Sequence, residues 1–493
     1  MRKLILLPCL VLLSSCSTTS TVKQLQSDYN KHKYSSYVSD NLKAHPAIAP
    51  EKLSTDDKKL KVFKRQLTSR KSQAGGRLNG VINQNGLYKP SRALQQQLAR
   101  LGTKKKSELW LKNHSSLNAV ITLALKNNLD IKSSKEQAQA SLAKYDQVAY
   151  LDDMLSQYAA FTKDIKLTGS TQKHKKLVSA NFPFPGLLSL KSSIIDQSVE
   201  ASRLALKQTV QDVITNTKIA YYQLQFAQQE IAITGQNIRL LKSLKEELQS
   251  NYSTNTAELN GILQVDIEIA NNRNKLQIIK DRKRAKQARL SAFLNLSPEF
   301  TLGKLDKLKA EKLSDNVERL IKTGKTHRVE IARLQTDLEK MKRIIQLSEK
   351  RFYPDFDAGY SRFQNDKFTT RPKIKKSNFF AKNDAYLTET REKYKALQSK
   401  IKALQNRTAD DIQQEISNYH TQKRTRALYR NKVLPKAKTT LDIAKNLYET
   451  GESSYVEVIN AQEMILNYRL KSIRALMGMN IGKAKLLRLT GRY

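Results

Sequence analysis

Residues able to do chemistry are thinly spread along this 493-residue chain. Its six histidines, His32, His45, His114, His174, His327 and His420, stand apart. No two are spaced i, i+3 or i, i+4, so no helix face gathers the imidazole pair that a metal ion needs. Two cysteines, Cys9 and Cys16, exclude both a disulfide framework and a Cys-rich zinc site. Neither a phosphate-cradling loop nor a nucleophile elbow is present. The expectation is a protein that is not an enzyme and carries no metal and no cofactor. What the chain concentrates is charge: 88 Lys and Arg against 45 Asp and Glu, a formal net charge of +43.

One of the cysteines has a context. Met1-Arg2-Lys3 is a short basic start, Leu4 to Leu13 is apolar, and Leu13-Ser14-Ser15-Cys16 places two small residues directly before a thiol. The apolar run is too short for a membrane span and is followed by polar residues, which is the pattern of a secretory signal. The four residues resemble the lipobox of bacterial lipoproteins, in which the cysteine becomes the acylated N-terminus. The resemblance implies a signal peptide over 1–15 and several acyl chains on Cys16, enough for stable anchoring. Ser17 rather than Asp follows Cys16, which favours the outer membrane. An ordinary signal cut near Ser15, leaving Cys16 a free thiol, is the alternative.

Long helices are the elements that must position everything else. Residues 16–110 form a polar, basic periplasmic arm, in which Pro46, Pro50, Pro90 and the Gly75-Gly76 pair are expected to interrupt long helices. From Ser116 onward the chain is poor in Pro. Val458, Ala461, Ile465, Tyr468, Ser472, Ala475, Met479, Gly482, Leu486 and Leu489 alternate steps of three and four, the 3.5-residue period of a left-handed supercoil. Ile262, Val265, Ile269, Leu276 and Ile279 follow a similar spacing.

The helices are duplicated. Asn127-Asn128-Leu129-Asp130-Ile131 and His327-Arg328-Val329-Glu330-Ile331 open equivalent helices at an offset of 200. Tyr252 to Asn255 and Tyr448 to Gly451 are equivalent turns at an offset of 196. Asn255 and Gly451 are the residue types that most readily close a helix in the left-handed conformation. The repeats are 111–300 and 301–493. Each is interrupted, by Leu151 to Pro185 and by Pro354 to Asp384. Phe356, Ala358 and Tyr360 alternate there as in a barrel strand. Two strands per repeat give four per chain, too few to close a barrel without other copies. Surface hairpins are the plainer reading of these stretches.

This layout resembles the outer-membrane efflux proteins of the TolC type. The motifs that carry the likeness are Ala124 to Asn128, Val433 to Ala437 and, above all, Tyr448 to Gln462. Cys16 and Phe184 to Leu190 look most like the family's heavy-metal, CusC/CzcC-like lipoprotein branch. The resemblance covers roughly 115–493. It implies a mainly α fold with a small β part. Duplicated coiled-coil helices would form a trimeric α-barrel, and four strands per chain would supply a 12-stranded outer-membrane β-barrel. It further implies an exit duct in a tripartite efflux system, with a periplasmic adaptor and an inner-membrane pump as partners. Metal cations are the favoured cargo and drugs are possible; export of proteins in a type I system is the alternative.

The family's tip motif carries acidic residues ringing the entrance, and the matching positions here are Glu457 and Asn460, with Tyr448 matching a tyrosine that restrains neighbouring helices. Ser454-Tyr455-Val456-Glu457 is equally readable as a capping box, with the carboxylate turned back to the Ser454 amide. A reading from another class is a lipid-anchored coiled coil that binds polyanions, which the +43 charge favours. The cations lack the aromatic interleaving of a nucleic-acid groove, so nucleic acid is not an expected partner.

Overall fold

A computed structural model describes residues 56–82, 88, 90–149, 185–253, 259–313, 316–352 and 379–491. The signal peptide, Cys16, Asn255 and nearly all of both expected strand stretches lie outside the described residues. At their edges Pro185 opens a helix, and residues 379–384 are helical, so the second stretch is shorter than the sequence suggests. Contacts separate residues 1–63 from 64–493, and the architecture below is that of the larger unit.

The described elements are all helical. Helix α1 spans Asp56–Ile82, α2 Arg92–Ala99 and α3 Lys104–Asn113. Helices α4 (Leu117–Asn127), α5 (Leu129–Leu142) and α6 (Lys144–Ala149) follow, then the long α7 (Pro185–Ser253) and α8 (Leu259–Phe293). The second repeat comprises α9 (Val317–His327), α10 (Val329–Phe352), α11 (Phe379–Leu428), α12 (Leu434–Glu449) and α13 (Tyr455–Thr490). At 1.5 Å per residue the 69 residues of α7 extend about 100 Å. Among the described residues no helix is long and apolar enough to cross a membrane.

The duplication is visible residue by residue. Ser116 and Asn316 cap α4 and α9, two helices of 11 residues each, and both helices break at the expected positions. Asn128 (φ −64°, ψ 129°) and Arg328 (φ −62°, ψ 125°) adopt the same extended conformation between helices. The 3.5-residue seam of α13 also forms: eight of its ten positions are buried, and Tyr468 and Leu489 are half-buried. Small residues let the helices approach closely. A Cβ on Gly324 would lie 2.5 Å from Ile412 Cδ1, so a larger residue would have to push the Ile412 side chain aside where α9 crosses α11.

Two features run against local helix propensity. Helix α1 runs through Gly75 and Gly76, although each glycine costs about 1 kcal/mol in a helix. Leu67, Ala74, Leu78 and Val81 bury one face of it, and that burial outweighs the propensity. Pro435 does not end a helix either. Tyr429–Val433 forms one π turn in which the Leu434 amide donates to the Tyr429 carbonyl, so α11 continues into α12 around a residue that cannot donate.

Candidate functional site at the hairpin tip

The α7–α8 and α12–α13 hairpins share one core. Leu241, Leu244 and Leu248 of α7 meet Ile262, Val265 and Ile269 of α8, Ala444 of α12, and Tyr455, Val458 and Ile459 of α13. Helices α7 and α13 pack together at the centre, while α8 and α12 flank them and share no packed face. The second turn is built as the sequence suggests. Gly451 has φ 79°, its amide donates to the Tyr448 carbonyl at 3.0 Å, and the Glu452 amide reaches the Leu447 carbonyl at 2.8 Å. That pair of bonds is a Schellman closure, which requires the left-handed residue at its centre.

The residues singled out at the tip fall into two groups. Tyr448 is half-buried and stacks edge-on against Tyr455, with ring centroids 4.7 Å apart, and its hydroxyl is buried without a partner. Tyr455 is anchored: its hydroxyl donates to the Leu244 carbonyl at 3.4 Å, and burial, with Glu247 nearby, pushes that phenol far above its usual pKa. Glu457 and Asn460 are both exposed on the first turns of α13. Ser454 opens α13 with the extended backbone usual for an N-cap, but its hydroxyl caps no amide, so the serine half of the capping box does not form. At the helix start Glu457 bonds through its backbone, its amide donating to the Ser454 carbonyl at 3.2 Å, and not through its carboxylate.

Charge at the tip runs opposite to the rest of the chain. Residues 240–270 hold two cations, Lys242 and Lys245, against five acids. Residues 440–463 hold only Lys445 against Asp442, Glu449, Glu452, Glu457 and Glu463. Lys245 bridges to Asp266 at 2.6 Å. Burial, then the neighbouring Glu463 carboxylate, raises the pKa of Glu268, while the fully buried Asn272 donates to Glu463 at 3.0 Å. An acid-rich end of this kind favours cations over anions.

Two sets of residues escaped the sequence. The first is apolar and exposed: Leu259, Leu263 and Ile267 form an i, i+4, i+8 stripe on α8, and Ile443 and Leu447 form one on α12. Each stripe lies on a flank of the tip, and their helical spacing was the signal available. The second is a half-buried ion network at the break before α10. Arg488 of α13 reaches Asp212 of α7 at 2.6 Å and Glu330 of α10 at 2.7 Å. Arg328 pairs with Asp411 of α11 at 3.1 Å and approaches Glu330 at 3.4 Å. Four long helices meet there, and no local motif marks it.

No protein-family model and no curated protein matches the sequence. Solved structures do match. CusC, whose structure concerns folding and transmembrane channel formation, aligns with a TM-score of 0.61 at 14% identity, covering 77% of this chain and 92% of that one. The outer-membrane channel OprN gives 0.61 at 14% identity over 84% and 95%. The outer membrane protein VceC of Vibrio cholerae gives 0.56 at 15% identity over 78% and 98%. The chain therefore has the fold of the TolC-type outer-membrane channels.

Proposed function

We propose that this protein is the outer-membrane exit duct of a tripartite efflux system. The observation that carries the reading is the duplicated layer of helices whose two flanks, α8 and α12, are unlike and each bear an exposed apolar stripe. Unlike edges that complement one another join head to tail, and such contacts make a ring where the rotation between copies closes. A ring of three copies, as the fold's resemblance implies, encloses a bore along the helices. The stretches between α6 and α7 and between α10 and α11 would supply the 12-stranded barrel in the outer membrane, with Cys16 acylated beside it. A periplasmic adaptor would engage the tip, and an inner-membrane pump would provide energy.

Metal cations are the favoured cargo, ahead of drugs and of secreted proteins. The acid excess at the tip supports this, and Glu457 is the exposed carboxylate on the first turn of α13. The test is single-channel conductance of the purified protein in planar bilayers. Stepwise cation-selective conductance is expected, and Glu457→Gln should lower that selectivity while leaving the melting temperature unchanged, since the side chain caps nothing. Absence of conductance would sink the duct. Conductance with unaltered selectivity in the variant would move the gate away from Glu457.

A further inference from the structure

Away from the tip, the same two flanks carry a dense belt of cations. Residues 273–289 of α8 hold Arg273, Lys275, Lys280, Arg282, Lys283, Arg284, Lys286 and Arg289 with a single acid, Asp281. Residues 423–438, which run from α11 through the π turn into α12, hold seven Lys and Arg and no acid. Six of the seven, Arg426 excepted, are exposed. Compensation is slight: Arg284 lies 3.5 Å from Asp281, and Lys275 lies 3.8 Å from Glu463.

The two basic segments share one level of the helical layer. Arg282 of α8 and Arg474 of α13 both act on Glu230 of α7, the latter at 3.8 Å. One turn away on α13, Lys471 sits 5.5 Å over the Tyr429 ring, inside the second basic segment. Head-to-tail closure would therefore bring the α8 cations of one copy beside the α11–α12 cations of the next. Like charges so placed repel unless an anion lies between or along them.

We propose that this belt binds the carboxylate-bearing glycan–peptide polymer of the cell wall, an inference that rests on the duct reading. Three observations select that occupant. The cations follow about 25 Å of helix axis, so they face a polymer lying beside the tube and not a lipid plane that the tube crosses. Large exposed apolar residues cluster at the tip, whereas the belt has only Ile278 and Leu428, too little to anchor a protein partner. The ring within the second segment, Tyr429, is already stacked on Tyr468 at 5.5 Å, so the belt offers no aromatic platform for bases. Diffuse, weakly paired cations suit a flexible polyanion.

The experiment is cosedimentation of the full-length, detergent-solubilised protein with purified cell-wall sacculi, with conductance recorded on the same preparations. Wild type should pellet at about 50 mM NaCl and stay in solution at about 500 mM, where screening shortens the reach of each charge to a few ångströms. The quadruple variant Arg430→Gln, Lys432→Gln, Lys436→Gln, Lys438→Gln should pellet about fivefold less with conductance kept. A second variant, Arg273→Gln, Lys280→Gln, Arg284→Gln, should do the same from the other flank. Undiminished pelleting of both variants, or equal pelleting with sacculi whose carboxyls have been amidated, overturns the proposal. Tighter binding to phosphatidylglycerol vesicles or to duplex DNA than to sacculi overturns it also. Conductance without sacculus binding leaves the duct standing and removes the belt; sacculus binding without conductance does the reverse.

Discussion

Asn128 and Arg328 occupy the same place in two repeats and hold the same backbone break by different means. The Asn128 side chain accepts from the amides of Asp130 and Ile131 at 3.0 and 3.2 Å and donates to the Phe293 carbonyl at 3.0 Å. It is a local cap with one long-range bond and no charge. Arg328 caps nothing. It donates to Thr408 and Asp411 of α11 at 2.9 and 3.1 Å and stands beside Glu330, which Arg488 also grips. A duplicated fold thus preserves backbone geometry while the chemistry that maintains it drifts, from a neutral turn motif to an ion network spanning four helices. The second junction depends on distant residues and on protonation; the first depends on neither to the same degree.

The largest effect should come from Arg488→Ala. Its side chain is only 11% exposed, and removing it takes from Glu330 its nearest cation, leaving Arg328 at 3.4 Å, while Asp212, 45% exposed, falls back on water. Because water screens Asp212 and Arg328 stays near Glu330, the cost is discounted from that of a fully buried pair to about 2–3 kcal/mol, measurable as a fall in the unfolding midpoint. The same network makes the second junction acid-sensitive. Burial pushes the Glu330 carboxyl upward, but the hydrogen bonds and charge of Arg488, with Arg328, outweigh it and hold the group below its ordinary value of 4.5. A depressed carboxyl adds stability above its unfolded pKa and loses it as the pH falls through the folded one. Acidification below about 4.5 should therefore reduce hydrogen-exchange protection of the Ala332 amide more than that of its counterpart Lys132. Equal loss at both would erase the distinction between the two breaks.

The sequence makes the duplication readable because the signals involved are local. Asn128 and Arg328 each end a helix at a fixed offset, and the α13 seam needs only its own spacing to predict burial. Gly451 is readable for the same reason, since a Gly after Tyr-Glu-Thr closes a helix whatever surrounds it. The ion network is invisible at that level: Arg488 lies 158 residues from Glu330 and 276 from Asp212. The unbroken α1 escaped because Gly75 and Gly76 argue locally against a helix, while the decisive term is burial of Leu67 and Leu78. At Pro435 local chemistry also misleads, because a π turn absorbs the missing donor. The failed capping box at Ser454 belongs with these cases: the residue types fit and the backbone matches that of the capping Ser116, yet the Ser454 hydroxyl reaches no amide.

Asn128→Ala tests the neutral side of the comparison. The variant loses two accepted bonds at the start of α5 and orphans the Phe293 carbonyl that Asn128 now satisfies. Loss of a cap of this type costs about 1–2 kcal/mol. The loss should be the same at pH 7 and pH 4, because nothing in the cap titrates. A loss as large as that of Arg488→Ala would mean that the first junction is also a long-range device. Asn128→Ser keeps a capping oxygen and should recover part of the difference.

The smallest effect sharpens the comparison at the helix ends. The turn after α8 holds Asn295 at φ 52°, and α13 is capped by Gly491 at φ 68°, so the repeats exchange Asn and Gly at an offset of 196. The two tip turns carry the same exchange, Asn255 and Gly451, at the same offset. Asn tolerates the left-handed conformation better than Ala, so backbone strain alone predicts that Gly451→Asn costs a few tenths of a kcal/mol and Gly451→Ala about 1 kcal/mol. Space separates the two glycines. A Cβ on Gly451 would meet nothing within 4 Å, whereas one on Gly491 would lie 2.7 Å from the His327 carbonyl oxygen. Gly491→Asn should therefore destabilise clearly more than Gly451→Asn, by pushing the end of α13 off the end of α9 beside the Arg328 break. Thermal unfolding of the three variants decides between the two causes. If Gly451→Asn and Gly491→Asn lower the midpoint equally, conformation alone governs both sites. If only Gly491→Asn lowers it, the second repeat's ion network is held in register by a glycine that the first repeat does not need.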